Sequence, residues 1–135
     1  MEARTLNEEY ARIGQEWIDS DPLFIDIANS HATIVYLSSN YEKRKPQQNK
    51  LVEGECEKVQ DKNKWAIPAD FLIILYEPNI EGKSEEAIKR IIFHELLHVG
   101  IEFKEDGTEK YFIREHDTED FKECIDRWGT DWSNV

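Results

Sequence analysis

Apolar positions change their period several times along the chain, and each change predicts an element. Leu6, Tyr10, Ile13, Trp17 and Ile18 recur at intervals close to 3.6, with Asn7 and Glu8 near the start and Asp21-Pro22 beyond the end. Residues 5–19 therefore read as an amphipathic helix. Leu23, Phe24, Ile27 and Ala28 keep helical spacing over a shorter stretch and predict a short helix within 23–30. Residues 33–37 are β-branched and aromatic, which favours a strand, and residues 38–50 are polar and read as an exposed loop. Val52, Cys56 and Val59 among charged neighbours predict an edge strand over 52–59, with residues 65–68 as a connector. Residues 70–76 are apolar on both alternating faces, the pattern of a central strand covered on both sides, and Pro78 ends it.

Ser84 suits an N-cap, with Glu85 and Glu86 in the first turn where the helix dipole favours negative charge. The helix that follows is expected to run to about Val99, with Gly100 as its stop. Ile101 to Phe103 and Tyr111 to Ile113 flank an Asp106-Gly107 pair suited to a hairpin turn. A last helix is expected from about Thr118 to Trp128, ending at Gly129. No repeat or linker divides residues 1–135, so one α+β domain is expected.

The helix after Ser84 carries His94-Glu95-Leu96-Leu97-His98. Two His at i and i+4 lie on one helix face, one turn apart, so both imidazoles can reach a single Zn²⁺. Glu95 lies about 100° round the helix, off the metal, where its carboxylate can take a proton from metal-activated water. Ile88, Ile91, Ile92, Phe93, Leu96, Leu97 and Val99 make this helix apolar almost all round, so it belongs in a core. A catalytic zinc needs a third protein ligand. His116, after the hairpin, is the leading candidate; Glu119 or Asp120 is the rival, and whichever does not ligate can accept an N–H from a ligand imidazole. Ile101 and Lys104 stand where the metzincin extension requires Gly and His, which excludes that class.

Residues 70–74, the block Phe93-His94-Glu95-Leu96-Leu97-His98-Val99 and the block from Arg114 to Phe121 together resemble the phage metallopeptidase family, a small zincin-like group. The resemblance covers roughly residues 20–130 and leaves the N-terminal helix, residues 1–20, outside its core. It implies a minimal zincin-like domain: a small mixed β-sheet packed on the HExxH helix, flanked by N-terminal and C-terminal helices. It also implies zinc held by His94, His98 and His116, Glu95 as catalytic base, and hydrolysis of a peptide or protein substrate. The alternative is an inactive or regulatory zinc-binding module acting through a protein partner, although such a module needs no base beside its metal.

Tyr111, Arg114 and His31 are candidate oxyanion stabilisers, each with a structural role as the stronger expectation. The strand at 70–77, or a neighbouring edge strand, can take an extended substrate by strand addition. Cys56 and Cys124 form no CxxC pair and have no cationic company, so both are expected to be structural. Trp128 and Trp132 are expected to pack the C-terminal tail, Glu115 and Glu123 to be solvated, and Lys43-Arg44-Lys45 to be solvated surface.

Charge narrows the function further. Seventeen Lys plus Arg against 29 Asp plus Glu leave a formal net charge of -12, the wrong sign for holding nucleic acid. Many of the acids fall between Glu102 and Asp126, beside the expected metal, which predicts a preference for cations and basic peptides. The acidic N-terminus lacks the pattern of a signal peptide and no apolar run approaches a membrane span, so a cytoplasmic location without membrane association is expected.

Overall fold

Six consecutive apolar residues, β4 (Phe71–Tyr76), form the strand around which the chain is arranged in the computed structural model, which describes residues 1–116 and 120–135. β4 pairs in parallel with β2 (Ile34–Ser39) and antiparallel with β3 (Gly54–Lys58), while β1 (Arg4–Leu6) lies antiparallel on the far side of β2. The order β1-β2-β4-β3 makes β4 an interior strand and β3 an edge, as the two hydrophobic patterns predict.

All of β4 is buried because each face meets a different cover. Side chains alternate across a strand. Phe71, Ile73 and Leu75 join Tyr10 and Ile13 of α1 (Glu8–Ser20) and Ile91, Ile92, Phe93 and Leu96 of α4 (Glu85–Leu97) in the main core. Leu72, Ile74 and Tyr76 meet Val59, Ala69 and the half-buried Val35, Leu37 and Val52 in a smaller cluster. At α1 the close approach is made by Gly14, where a Cβ would stand 2.2 Å from the Tyr36 hydroxyl of β2.

Several boundaries differ from the sequence expectation for local physical reasons. Thr5 and Leu6 belong to β1 rather than the first helix: the Asn7 side chain accepts from Tyr10 N and starts α1 at Glu8, which frees the preceding residues to pair with β2. A 3-10 turn over Pro22–Phe24 leads into α2 (Ile25–Asn29). Pro78 does more than end β4, since it sits in the first turn of α3 (Glu77–Ile80), where its missing N–H costs no intrahelical bond.

The helix after Ser84 stops at Leu97 with His98 as its cap, and Gly100 is not the stop. The chain turns at once into β5 (Val99–Phe103), paired with β6 (Glu109–Ile113), and the Phe112 ring lies over Gly100, 2.4 Å from where a Cβ would stand. This hairpin, turning at Gly107 with φ 86°, forms a second sheet of two strands beside the mixed four-stranded sheet. The last helix, α5 (Lys122–Trp128), begins later than expected. Thr118 and Glu119 lie outside the described residues, while Asp120 and Phe121 are non-helical and Phe121 forms the cap. Beyond Gly129 the tail is tied to α4 and the turn before it. Arg90 donates to Trp132 O, the Lys83 ammonium to Ser133 O and the Ser84 hydroxyl to Val135 O. Among the described residues no helix is long and apolar enough to cross a membrane.

Candidate metal centre

The centre is assembled where the end of α4 meets the segment between β6 and α5. His94 and Glu95, in the last turns of α4, and His98 at its cap are presented by the helix itself, with Ile91, Phe93 and Leu96 anchoring it in the core. Arg114 N donates to His98 O at 2.7 Å, which draws the chain after β6 back to the helix end and sets His116 beside it. One ring nitrogen from each of His94, His98 and His116 lies within 4.8 Å of the others. The Nε2 atoms of His94 and His116 are 3.0 Å apart. Two ligand nitrogens on one tetrahedral ion with bonds of ~2.0–2.1 Å are separated by roughly 3.3 Å, so the spacing suits a shared cation.

The opposite ring nitrogens are held by acceptors. His98 Nδ1 donates to the Arg114 carbonyl at 2.7 Å, and His94 Nδ1 to Asp120 Oδ1 at 2.9 Å. Each bond fixes the proton on Nδ1 and leaves Nε2 with a free lone pair, as metal-ligating imidazoles require. Asp120 is itself oriented by the Trp132 indole N–H, at 2.6 Å, and Trp132 stacks on His94 with ring centroids 4.9 Å apart at 17°. Cys124 Sγ lies 3.8 Å from His94 Nδ1, so His94, Asp120 and Cys124 form a second possible donor group. Burial raises the Cys124 thiol above its ordinary value, and that set draws on the very nitrogen of His94 that already donates to Asp120. The three-histidine set is therefore the better fit to a metal.

Electrostatics divide the group sharply. Burial lowers His98 to about 4, and burial together with the charge of neighbouring His94 lowers His116. His94 is raised: burial opposes its charged form, but the bond to Asp120 and the nearby Glu95 outweigh it. Asp120 sits at about 2, since hydrogen bonds from His94 and Trp132 overcome its partial burial. Glu95 is 5% exposed, and burial pushes its carboxyl up to about 7 despite the favourable charge of His94. A Cβ on Gly54 would stand 3.3 Å from Glu95 Oε2, so the glycine in β3 leaves the carboxyl its space.

A cleft of about 610 Å³ opens over this group, bounded by α4, by Gly54, Glu55 and Cys56 of β3, and by the loop before β3. Tyr111, Arg114 and His31 do not line the cleft and hold other contacts, in line with the structural role expected of each: Tyr111 donates to Glu109, His31 pairs with Glu109 while 94% exposed, and Arg114 pairs with Glu123. Other expectations are corrected. Glu123 is consequently bound rather than solvated, whereas Glu115 is exposed. The acids between Glu102 and Asp126 do not surround the centre, because β5 and β6 carry many of them away on the hairpin; of that run only Asp120 lines the cleft among the described residues. Lys43, Arg44 and Lys45 are cleft lining, not merely solvated surface. Interior β4 cannot receive another strand, which leaves the edge strand β3. Cys56 and Cys124 are free thiols. Glu119, the rival ligand, lies outside the described residues.

Sequence reasoning missed two participants. Gly54 had a readable signal, an isolated glycine inside a charged strand, which marks close approach of another group. Trp132 had none, since its partners His94 and Asp120 are remote in sequence and follow no period.

A family model described as "Putative phage metallopeptidase" matches residues 4–135, and the chain belongs to that family. The match takes in α1, which the motif-based resemblance left out. The α+β fold, with five helices and two sheets among the described residues, suits a small zincin-like domain. Membership implies a metal ion and a peptide or protein substrate. No curated protein and no solved structure matches the chain.

Proposed function

We propose that residues 1–135 act as one zincin-like domain and that the protein is a zinc-dependent peptidase, with His94, His98 and His116 as the ligands and Glu95 as the general base. The observation that supports this best is the convergence of three ring nitrogens beside a buried carboxyl on one cleft wall. Three converging imidazoles form a donor set suited to Zn²⁺, which when bound would supply Lewis-acid activation of a water and of the scissile carbonyl.

The chain's own residues supply the rest. Glu95, buried beside the imidazoles on the cleft wall, is placed to take a proton from the attacking water and pass it to the leaving amine. Asp120 and the Arg114 carbonyl fix the two helix-borne imidazoles in the ligating tautomer. β3 offers the docking edge. Tyr76 N donates to Glu53 O at 3.0 Å and Val59 N to Asp70 O at 2.9 Å, so positions 53, 55, 57 and 59 bond β4. The alternation of an antiparallel ladder then turns the backbone N–H and C=O of Gly54 and Cys56 outward beside the centre, where an extended peptide can pair with them.

Elemental analysis alongside a peptide-digestion assay tests this directly. Near-stoichiometric zinc is expected in the wild type and in Glu95→Gln, with loss in His116→Ala and cleavage only by the wild type. Zinc retained undiminished in His116→Ala overturns the ligand assignment. Because ligand imidazoles must be neutral and His94 is raised, zinc affinity falls as pH drops, starting above the ordinary imidazole value of ~6.5.

A further inference from the structure

The loop before β3 folds over the cleft as a small hairpin. Arg44 and Leu51 form an antiparallel bridge, Lys45 N donates to Lys50 O at 2.8 Å, and Asn49 takes a positive φ of 48° at the turn. Lys43, Arg44, Lys45 and Lys50 all line the cleft. In a chain of net charge -12 this concentration of cations on one lip is unexpected.

Pairing of the charges makes it more so. The acids on the same wall are engaged: Glu55 by Lys43 and by the Tyr76 hydroxyl, Glu53 by Lys83 at 2.7 Å, Asp120 by His94. Arg44 meets exposed Glu42 at 3.5 Å. Lys45 and Lys50 have no ion pair among the described residues, although they are adjacent across the hairpin, where like charges repel. Two lysines without an ion pair thus line the space that a bound peptide would fill.

We propose that this lip selects substrates by carboxylates, favouring peptides with Asp or Glu beside the scissile bond. The inference rests on the cleft being a peptide site. It reverses the preference for basic peptides expected from overall charge. A peptide lying antiparallel to β3 runs from the Lys58 end toward the Gly54 end, so the lip meets residues on the carboxyl-terminal side of the bond.

The test is binding to zinc-loaded Glu95→Gln protein, followed by fluorescence anisotropy. The probes are amidated, fluorescein-labelled octapeptides identical except for Glu, Gln or Lys at two positions in the carboxyl-terminal half, and the Gln peptide with a free terminal carboxylate. The Glu peptide is expected to bind about five-fold tighter than the Gln peptide at low salt, and the Lys peptide more weakly than either. The advantage shrinks at 0.5 M salt and disappears in a Lys45→Glu/Lys50→Glu variant of unchanged zinc content. If the free-carboxylate Gln peptide matches the Glu peptide, carboxylate recognition stands and moves to a chain terminus. Equal or reversed affinities in the unaltered lip, or a Glu preference that survives charge reversal, overturn the proposal. So does displacement by a ten-nucleotide DNA more readily than by the Glu peptide. Since no turnover is needed, a protein that binds the Glu peptide yet cleaves nothing as wild type sinks the peptidase assignment and leaves the lip's selectivity standing.

Discussion

The candidate ligands come from two unlike regions. His94 and His98 are held by a helix whose neighbouring residues fill the main core, whereas His116 sits in a non-regular segment tied back by the bond from Arg114 N to His98 O. The helix places two imidazoles and a base through its own geometry. The segment after β6 places its imidazole only through tertiary bonds, and brings with it Asp120, the acceptor that orients His94. Half of the site is therefore local structure and half is assembly, and the two halves should fail differently.

The largest effect is expected on the helix side. Glu95→Gln should lower peptide hydrolysis by about 10²–10⁴-fold with zinc content unchanged, measured by initial rates and elemental analysis. The same variant has a pH signature without metal. Because the folded carboxyl titrates at about 7 against an ordinary value of 4.5, the protonated form is the one the fold favours. Wild-type stability therefore falls as pH rises from about 4.5 through 7, by about 3 kcal/mol, and the amide escapes this loss. Urea denaturation in the presence of chelator should show Glu95→Gln gaining on the wild type between pH 5 and pH 8; a constant gap contradicts a buried neutral Glu95.

On the assembled side, Asp120→Asn should weaken zinc binding by about 10–100-fold, read by competition with a chromophoric chelator, because it unlocks the tautomer of His94 without removing a ligand. The comparison is sharpened by the metal-free stabilities of two alanine variants. His94→Ala should cost about 1–3 kcal/mol, since it empties a buried site stacked on Trp132 and strands Asp120. His116→Ala, from a half-buried position outside any element, should cost under about 1 kcal/mol. Equal losses would mean that the segment is as much a part of the core as α4. The smallest effect is expected at β3: a Cβ at Gly54→Ala would come within 3.3 Å of Glu95 Oε2 and of Ile74 O, so a few-fold loss of rate with zinc retained is the expected outcome.

What was legible in the sequence follows the same division. The interior position of β4 was readable because six apolar residues in succession demand cover on both faces. The edge position of β3 was readable because its apolar residues are sparse. The i, i+4 histidines declared their common face through helix geometry alone. Boundaries were read less well where a side chain or a partner decided them: Asn7 ended β1, pairing with β6 drew Gly100 into β5, and Phe121 capped α5. The surroundings of the centre were least legible. Acidic residues that are dense along the sequence were carried off by the β5–β6 hairpin, and a basic stretch that read as open loop folded over the cleft. Sequence distance is a poor guide to such fields, because charges act through space and the topology sets the distances.

The stacking of Trp132 on His94 gives the protein a built-in optical gauge. Trp65 is exposed and Trp17 and Trp128 pack against Phe93, so Trp132 is the indole in ring contact with a candidate ligand. Any ion that seats on His94 changes the electronic surroundings of that indole. Emission intensity and wavelength should track occupancy, and a paramagnetic ion such as Co²⁺ should quench this component most strongly, so the filling of the centre can be followed continuously in unlabelled protein.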